Sequence, residues 1–221
     1  MDMDLETVDH LLTTTRSVRK RLDFSRPVEP ELIEKCIEIA LQSPTGSNMQ
    51  GWRVMVITDA DKRKTIADYY RTAFKDYAAE DSPYRVDPPA GDSRAEQMPR
   101  VLDSATYLAE HLHESPAYVL FLIEGRVEDG PVVAQASIYG SFLPAAWSFM
   151  LAARARGVGS AWTTIHLMHE KEIAELLGIP PEFTQGVLLP VAYFTGKDFK
   201  PAKRIDAKTL TSWDTWGESR S

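Results

Sequence analysis

The longest apolar run of the chain, Ile138 to Ala153, most strongly limits what the chain can fold into. It has 16 residues, contains Ser141, Pro144 and Ser148, and is followed by Arg154. A membrane-spanning helix needs about 20 apolar residues, so we interpret the run as a buried helix. A helix that is apolar on all sides must be covered on all sides. We therefore expect it at the centre of a domain or at a subunit interface.

Charge and cysteine content exclude several classes of protein. The chain carries 25 Lys+Arg against 32 Asp+Glu, a formal charge of −7, which argues against general binding to nucleic acid or to an anionic membrane. Cys36 is the only cysteine, so no internal disulfide and no cysteine-based zinc site can form. The acidic segment Met1 to Glu6 lacks the basic and apolar regions of a secretory signal, and we expect a cytoplasmic protein.

Helical and strand patterns alternate along the chain and predict one α/β domain over residues 1–221. Apolar residues at helical spacing predict three helices: Glu29–Gln42, Ala60–Tyr77 and Glu170–Leu177. Segments rich in β-branched and aromatic residues predict four strands: Trp52–Thr58, Ala117–Ile123, Gly159–Thr164 and Gly186–Phe194.

Two segments are expected to lie outside this core. Proline, glycine and charge are frequent between Tyr77 and Pro99, including Pro89 and Gly91, which predicts a lid excursion over about residues 77–115. The polar tail, about residues 197–221, contains Trp213 and Trp216, which need apolar cover. We expect it to be an arm that reaches onto a partner subunit.

The segment Arg16 to Arg21 concentrates positive charge in an acidic chain. If this segment is helical, Arg16 and Arg19 share one face and repel each other, and a bound phosphate would reverse that effect. Guanidinium groups bind phosphate oxygens in pairs, and Ser17 could add a hydrogen bond. A solvated basic face is the alternative. A second basic cluster could converge on the same anion or remain solvated: Lys200, Lys203 and Arg204.

The turn Ser43 to Trp52 is dense in small and amide-bearing residues. Asn48 and Gln50 each offer a hydrogen-bond donor and an acceptor, as recognition of a heterocycle edge requires. A purely structural turn, in which Asn and Ser cap the backbone, is the alternative.

The histidines do not indicate a metal or a hydrolytic site. His111 and His113 point in different directions on a helix, and His166 with His169 lacks a third ligand, so we predict no metal. No Gly-x-Ser-x-Gly elbow occurs, and we name no catalytic acid, base or nucleophile.

Four motifs in order, from about Thr13 to Arg204, together resemble the FMN-dependent nitroreductase family, of the NAD(P)H nitroreductase type. They are Arg16-Ser17-Val18-Arg19, Pro44-Thr45-Gly46-Ser47-Asn48-Met49-Gln50-Gly51-Trp52, Gly157-Val158-Gly159-Ser160-Ala161-Trp162 and Lys203-Arg204. The resemblance implies an α/β (α+β) fold with a mixed sheet flanked by helices, a long buried interface helix and a C-terminal arm exchanged in a homodimer. Gly51 departs from the proline that is usual before Trp52, which loosens the turn.

The resemblance also implies an FMN site at the dimer interface. Its phosphate and ribityl chain would be held by the first motif, Arg16, Ser17, Val18 and Arg19, with Lys203 and Arg204 closing on the phosphate. The isoalloxazine edge would be contacted from the other subunit by Thr45, Gly46, Asn48 and Gln50. The segment Trp162, Thr163 and Thr164 would run along the flavin, its backbone N–H groups facing N5 and O4.

The implied activity is hydride transfer from NADPH or NADH to the flavin, followed by ping-pong reduction of a nitroaromatic, a quinone or a related small acceptor. A flavin-binding storage or regulatory dimer with little turnover is the alternative, and a deazaflavin in place of FMN stays open. The Gly157-x-Gly159 pair lacks the third glycine of a dinucleotide fingerprint and follows a helix, which excludes a Rossmann site.

Overall fold

The computed structural model describes residues 3–84, 88, 92 and 94–220. Two compact units divide the chain: Arg16–Gly196, and a second that combines Met1–Thr15 with Lys197–Ser221. The expectation of a single domain over residues 1–221 stays a prediction.

Helices and strands have the following bounds in the described chain. The α-helices are α1 (Leu5–Thr14), α2 (Pro30–Ala40), α3 (Ala60–Ala78), α4 (Met98–His111), α5 (Val132–Arg154), α6 (Glu170–Leu177) and α7 (Ala207–Leu210). The strands are β1 (Leu22–Asp23), β2 (Trp52–Ile57), β3 (Ala117–Glu124), β4 (Val158–Ser160) and β5 (Phe183–Phe194).

The unit Arg16–Gly196 is built on a five-stranded sheet in the order β1-β5-β3-β2, with β4 also paired to β5. Every described strand pairing is antiparallel. Strand β3 is buried from Ala117 to Ile123 because helices cover both faces, which explains its uninterrupted apolar sequence. The predicted α/β architecture, a sheet flanked by helices, is confirmed.

The main core lies between the sheet and the helices α2 and α5. It contains Ile33 and Cys36 of α2, Phe149 of α5, and Phe121 and Val187 of the sheet, all of them buried. Phe121 and Phe149 meet edge to face with ring centroids 5.9 Å apart. This packing holds α5 along the sheet and fixes the position of the turn that follows α2.

Helix α5 contains the apolar run and is covered on one side only within the described chain. Phe142 and Phe149 are fully buried, whereas Val133 is 75% exposed and Trp147 is 37% exposed. By length and composition the helix could cross a membrane, but 44% of its most apolar window is buried, and core helices of soluble proteins also meet this test. One side of α5 therefore exposes apolar residues at the surface of the described chain.

Most predicted elements agree with the structure to within two residues at each end, and two predicted strands do not. One of them, β5, begins at Phe183, three residues before the predicted Gly186. The predicted strand Gly159–Thr164 was too long: β4 ends at Ser160, Thr163 forms an isolated bridge to Leu188, and a 3₁₀ turn begins at Ile165. Helix α4 (Met98–His111) lies within the range predicted as a lid, residues 77–115, and the lid itself stays a prediction. Pro89 and Gly91, on which the lid was partly based, lie outside the described residues.

The second unit contains α1, α7 and a C-terminal turn. Within it, His10 Nε2 lies 2.9 Å from Asp198 Oδ2, and Asp206 caps α7 by accepting the Lys208 N–H. The predicted site residues Lys203 and Arg204 belong to this unit and are exposed.

Candidate functional site

The segment Arg16 to Arg21, the basic segment below, is not the helix considered as one possibility from the sequence: residues 16–19 form no regular element, and residues 20 and 21 form a turn. Its first residues lie against β4. The Val18 N–H donates to the Ser160 carbonyl oxygen at 2.9 Å, and the Ser17 hydroxyl oxygen accepts the Trp162 N–H at 2.9 Å. A Cβ on Gly159 would lie 3.2 Å from Val18 Cβ, so glycine permits this close approach. Two motifs separated by about 140 residues in sequence are thereby joined.

Arg16 and Arg19 provide the positive charge of this site. Both side chains are half-buried, and no carboxylate pairs with either one in the part of the chain that the structure describes. The polar contact of Arg19 is a long one, 3.5 Å from Nη1 to Ser104 Oγ, and burial lowers the pKa of its guanidinium. Half-buried cations without a counter-charge are costly unless an anion binds.

The neighbouring cations are engaged elsewhere. Lys20 Nζ lies 2.6 Å from Asp103 Oδ2, and Arg21 Nε donates to the Thr195 carbonyl oxygen at 2.7 Å. The six-residue basic segment therefore separates into an engaged pair and an uncompensated pair, a distinction that composition alone did not show.

Tyr70 of α3 is a neighbour of Arg19 that the sequence analysis did not assign. It is buried, and burial raises the pKa of its phenol to about 12, with the Arg19 charge acting in the opposite direction. Tyr70 is therefore neutral at physiological pH and leaves the charge of Arg19 uncompensated. No local signal reveals this contact, because α3 and the basic segment are far apart in sequence.

The turn after α2 is closed by its own hydrogen bonds and contains left-handed residues. The Thr45 hydroxyl oxygen accepts the Gln50 N–H at 3.1 Å, and Gln50 Nε2 donates to Asn48 Oδ1 at 3.1 Å. Positive φ angles of 51°, 55° and 51° occur at Ser47, Asn48 and Gln50. Left-handed conformations at non-glycine residues are costly and are concentrated at functional sites. Asn48 and Gln50 are exposed and keep one amide donor group and one amide acceptor, respectively, for a ligand.

The same turn is attached to the long helix α5. The Gly46 N–H donates to Ser141 Oγ at 2.9 Å, and a Cβ at position 46 would lie 2.2 Å from Ser137 Oγ. The structure also explains why Gly51 stands where the family usually has proline. A proline restricts the residue before it to extended conformations, and that residue, Gln50, is left-handed. The departure from the family pattern therefore accompanies a specific turn geometry.

The segment Trp162–Thr164 has fewer free backbone donors than predicted. The Trp162 N–H donates to Ser17, and the Thr163 N–H and hydroxyl both donate to the Leu188 carbonyl oxygen, at 3.2 and 2.8 Å. Thr164 is exposed, and its N–H has no acceptor among the described residues. Of the backbone N–H groups predicted to face the flavin, those of Trp162 and Thr163 are already bonded, and the prediction is now limited to the Thr164 N–H.

His166 lies two residues after this segment and is fully buried, with neither ring nitrogen hydrogen-bonded within the described chain. Burial lowers the pKa of its imidazole to about 3, and the nearby Glu170 carboxylate opposes that shift. The ring is therefore neutral at physiological pH. Across the described residues, no group of three or more His, Cys, Asp or Glu side chains could hold a metal ion.

The structure thus brings together Arg16, Ser17, Val18 and Arg19 with the segment Trp162–Thr164. Val18 is buried, so its side chain supports the segment from the protein side. The turn Thr45–Gln50 is attached to α5, and Lys203 and Arg204 belong to the other unit. Their convergence on one cofactor stays a prediction.

Comparison with known proteins gives the family. The family model described as the nitroreductase family matches residues 12–193, well over half of the chain. The chain belongs to the nitroreductase family.

Solved structures of similar fold include three nitroreductase-like flavoproteins. An FMN-dependent nitroreductase of Mycobacterium smegmatis, in complex with NADPH, has a TM-score of 0.71 and 19% identity, covering 96% of this chain and 99% of that one. A BluB-like flavoprotein of Clostridium difficile 630 has a TM-score of 0.67 and 20% identity, with 97% and 100% covered. A nitroreductase with bound FMN from Desulfitobacterium hafniense DCB-2 has a TM-score of 0.65 and 17% identity, with 96% and 100% covered. At these identities the likeness shows the fold.

The residues of this nitroreductase-family chain fit a phosphorylated flavin. Arg16 and Arg19 are uncompensated cations in the segment that bonds to Trp162 through Ser17, and Thr164, two residues after Trp162, has an N–H without an acceptor among the described residues. This is the donor set that a flavin carrying a phosphate requires.

Proposed function

We propose that the protein is an FMN-dependent oxidoreductase that takes hydride from NADPH or NADH and reduces a nitroaromatic, a quinone or a related small acceptor by a ping-pong mechanism. The observation that carries this proposal is the half-buried, uncompensated pair Arg16 and Arg19, in a nitroreductase-family fold. The segment that contains this pair bonds through Ser17 to Trp162, two residues before the Thr164 N–H that no described residue accepts. The FMN and NADPH named in the similar structures support the choice of cofactor and donor.

Arg16 and Arg19 would bind the phosphate and the ribityl chain. Ser17 accepts the Trp162 N–H through its oxygen, so its own hydroxyl hydrogen remains available to donate to the same chain. Lys203 and Arg204 would close on the phosphate. Because Arg16 and Arg19 lack a protein counter-charge, a bound phosphate would supply one.

Bound FMN supplies the hydride chemistry, which needs alignment and electrostatic stabilisation more than a titrating side chain. The Thr164 N–H would donate to the reacting edge of the ring, where negative charge accumulates. Two anchors, the Trp162–Ser17 bond and the Thr163–Leu188 bridge, hold that N–H in place. No side chain is required as an acid or a base.

The complete site would require a homodimer. One side of α5 exposes a stripe of apolar and small residues at helical spacing: Val132, Val133, Ala136, Tyr139, Gly140 and Trp147. Such a stripe marks a protein interface. The turn Thr45–Gln50 is bonded to this helix, so α5–α5 pairing would carry Asn48 and Gln50 toward the second chain. We propose that the C-terminal arms are exchanged in the same dimer. The cytoplasmic location stays a prediction.

The visible absorption spectrum of the purified protein tests the proposal. It should be recorded before and after anaerobic addition of NADPH and of NADH, and the released cofactor should be identified after denaturation. Flavin absorption that bleaches with a nucleotide is expected. A colourless protein that takes up no FMN on titration contradicts the proposal, and a yellow protein that never bleaches favours the storage or regulatory dimer.

A further inference from the structure

The second unit, which contains the C-terminal tail, exposes one tryptophan to solvent on a closed turn. Trp216 is 96% exposed, whereas the ring of Trp213 lies under the Arg220 guanidinium, with its centroid 5.0 Å from Cζ. The Trp213 N–H donates to the Glu218 carbonyl oxygen at 2.8 Å, and Gly217 adopts a φ of 86° inside the turn. The turn therefore orders its own backbone and leaves the Trp216 indole without apolar cover.

The unit Arg16–Gly196 contains an apolar cleft of about 330 Å³ beside the edge strand β2. Arg53, Met55 and Leu122 line it on the side of the sheet, and Arg53 and Leu122 are cross-strand partners in β2 and β3. Arg53 is the one charged side chain among the lining residues.

The opposite wall of the cleft is the connection from α6 to β5 together with the first residue of β5. It contributes Ile179, Pro180 and Phe183. Gly178 ends α6 with a φ of 68°, and the Ile179 N–H donates to the Ala174 carbonyl oxygen at 2.9 Å, which holds this wall in place. The cleft is thus a preformed feature of the fold.

We propose that Trp216 of a second copy of this chain inserts into this cleft. The apolar walls and the sulfur of Met55 suit an indole ring, and Arg53 could stack on its face. The charges also match, because Asp214 and Glu218 flank Trp216 in the turn and Arg53 is the charge of the cleft. Insertion would bury roughly 150–250 Å² of tryptophan surface. The inference rests on the proposed homodimer with exchanged arms, and it names where each arm is seated.

Photochemical cross-linking tests this seat. Trp216 is replaced by p-benzoylphenylalanine, the FMN-loaded protein is irradiated, and species of double mass are separated by denaturing electrophoresis and digested for mass spectrometry. Cross-links from position 216 to peptides containing Arg53–Met55 or Ile179–Phe183 of a second chain are expected. The matched control carries the same label in place of Leu210, which is 69% exposed in the same unit, and should not mark the cleft.

A second variant covers the case in which the label disturbs the arm. Trp216→Ala should weaken the dimer at least about tenfold in sedimentation, as loss of an aromatic anchor does, while Leu210→Ala should leave it unchanged. Equal dimer affinity of both variants would overturn the inference, as would cross-links that lie within one chain or outside the cleft. A wild-type chain that sediments as a monomer would instead overturn the proposed homodimer and this inference with it.

Discussion

Arg16 and Arg19 should control flavin affinity because they are the cations of the basic segment that no described carboxylate compensates. Each charge-assisted hydrogen bond contributes about 1.5–3 kcal/mol, so Arg16→Gln/Arg19→Gln should weaken FMN binding by about 100-fold or more. Flavin fluorescence titration measures this. Lys20→Gln is the matched control, since Lys20 already pairs with Asp103, and it should bind FMN normally. Full flavin occupancy of the double variant would contradict the assignment of the phosphate site.

His166 should make folding stability depend on pH. Its folded-state pKa, about 3, lies below the ordinary value of 6.5, so the unfolded chain binds a proton that the folded chain excludes. The folded protein therefore loses stability as pH falls from about 6.5 toward 3. Between about pH 7.5 and 5.5, this effect lowers the free energy of unfolding by about 1.4 kcal/mol.

Urea unfolding of His166→Leu at these two pH values tests this contribution. The variant should lose less stability than the wild type on acidification, while His113→Leu, which removes an exposed histidine, should behave as the wild type does. Identical pH dependence in the wild type and in His166→Leu would show that the buried ring does not act in this way.

For individual residues, the sequence alone indicates where charges and amides are concentrated, but it does not indicate which partners they contact. The excess of arginine at positions 16–21 is visible in an acidic chain, and so is the amide-rich turn at Asn48 and Gln50. That Lys20 pairs with Asp103, while Arg19 does not pair with a described carboxylate, depends on α4 packing against a segment more than 80 residues away. Tyr70 and His166 were unpredictable for the same reason.

At the scale of elements, Gly186 sets how closely α5 approaches the sheet. A Cβ at this position of β5 would lie 1.7 Å from Cε2 of the fully buried Phe142 ring. Gly186→Ala should therefore destabilise the protein by about 3 kcal/mol in urea unfolding, as overpacking does. The control is Gly51→Ala, because its nearest contact would be an ordinary 3.7 Å from Glu124 Cβ.

A double variant checks the cause of that loss. Gly186→Ala/Phe142→Leu removes the ring that the new methyl group meets, and it should be more stable than Gly186→Ala alone. If the single variant is as stable as the wild type, or if the double variant is no better, α5 and β5 do not pack in the manner described.

The elements themselves were largely predictable, since periodicity is a local property. Helices α2, α3 and α6 agree with the predicted ranges to within one or two residues at each end. The strand predicted to Thr164 is too long because β-forming residues continue past Ser160, whereas the regular pairing with β5 ends there and leaves an isolated bridge at Thr163. That end point matters for function, because the broken pairing leaves the Thr164 N–H free.

At the scale of the whole molecule, the exposed stripe of α5 relates the proposed dimer to the proposed cofactor site. A chain with one copy of this helix leaves Val133 and Trp147 uncovered, and it also places the amides of the turn Thr45–Gln50 on a surface. Pairing two copies would satisfy both conditions at once. The apolar run could be predicted from the sequence. Which side of the helix the chain itself covers could not, because that depends on how α2 and the sheet pack.

Gly140→Arg tests this connection between assembly and cofactor. A Cβ at Gly140 meets nothing within 4 Å, so the unit Arg16–Gly196 should keep its fold by circular dichroism, while a charge in the stripe should prevent pairing. We expect a monomer in sedimentation and a loss of FMN in parallel, because each site would lose the residues supplied by the other chain. Glu175→Arg, an exposed reversal of charge on α6, should remain a flavin-loaded dimer. A Gly140→Arg monomer that binds FMN as tightly as the wild type would mean that one chain holds the cofactor unaided.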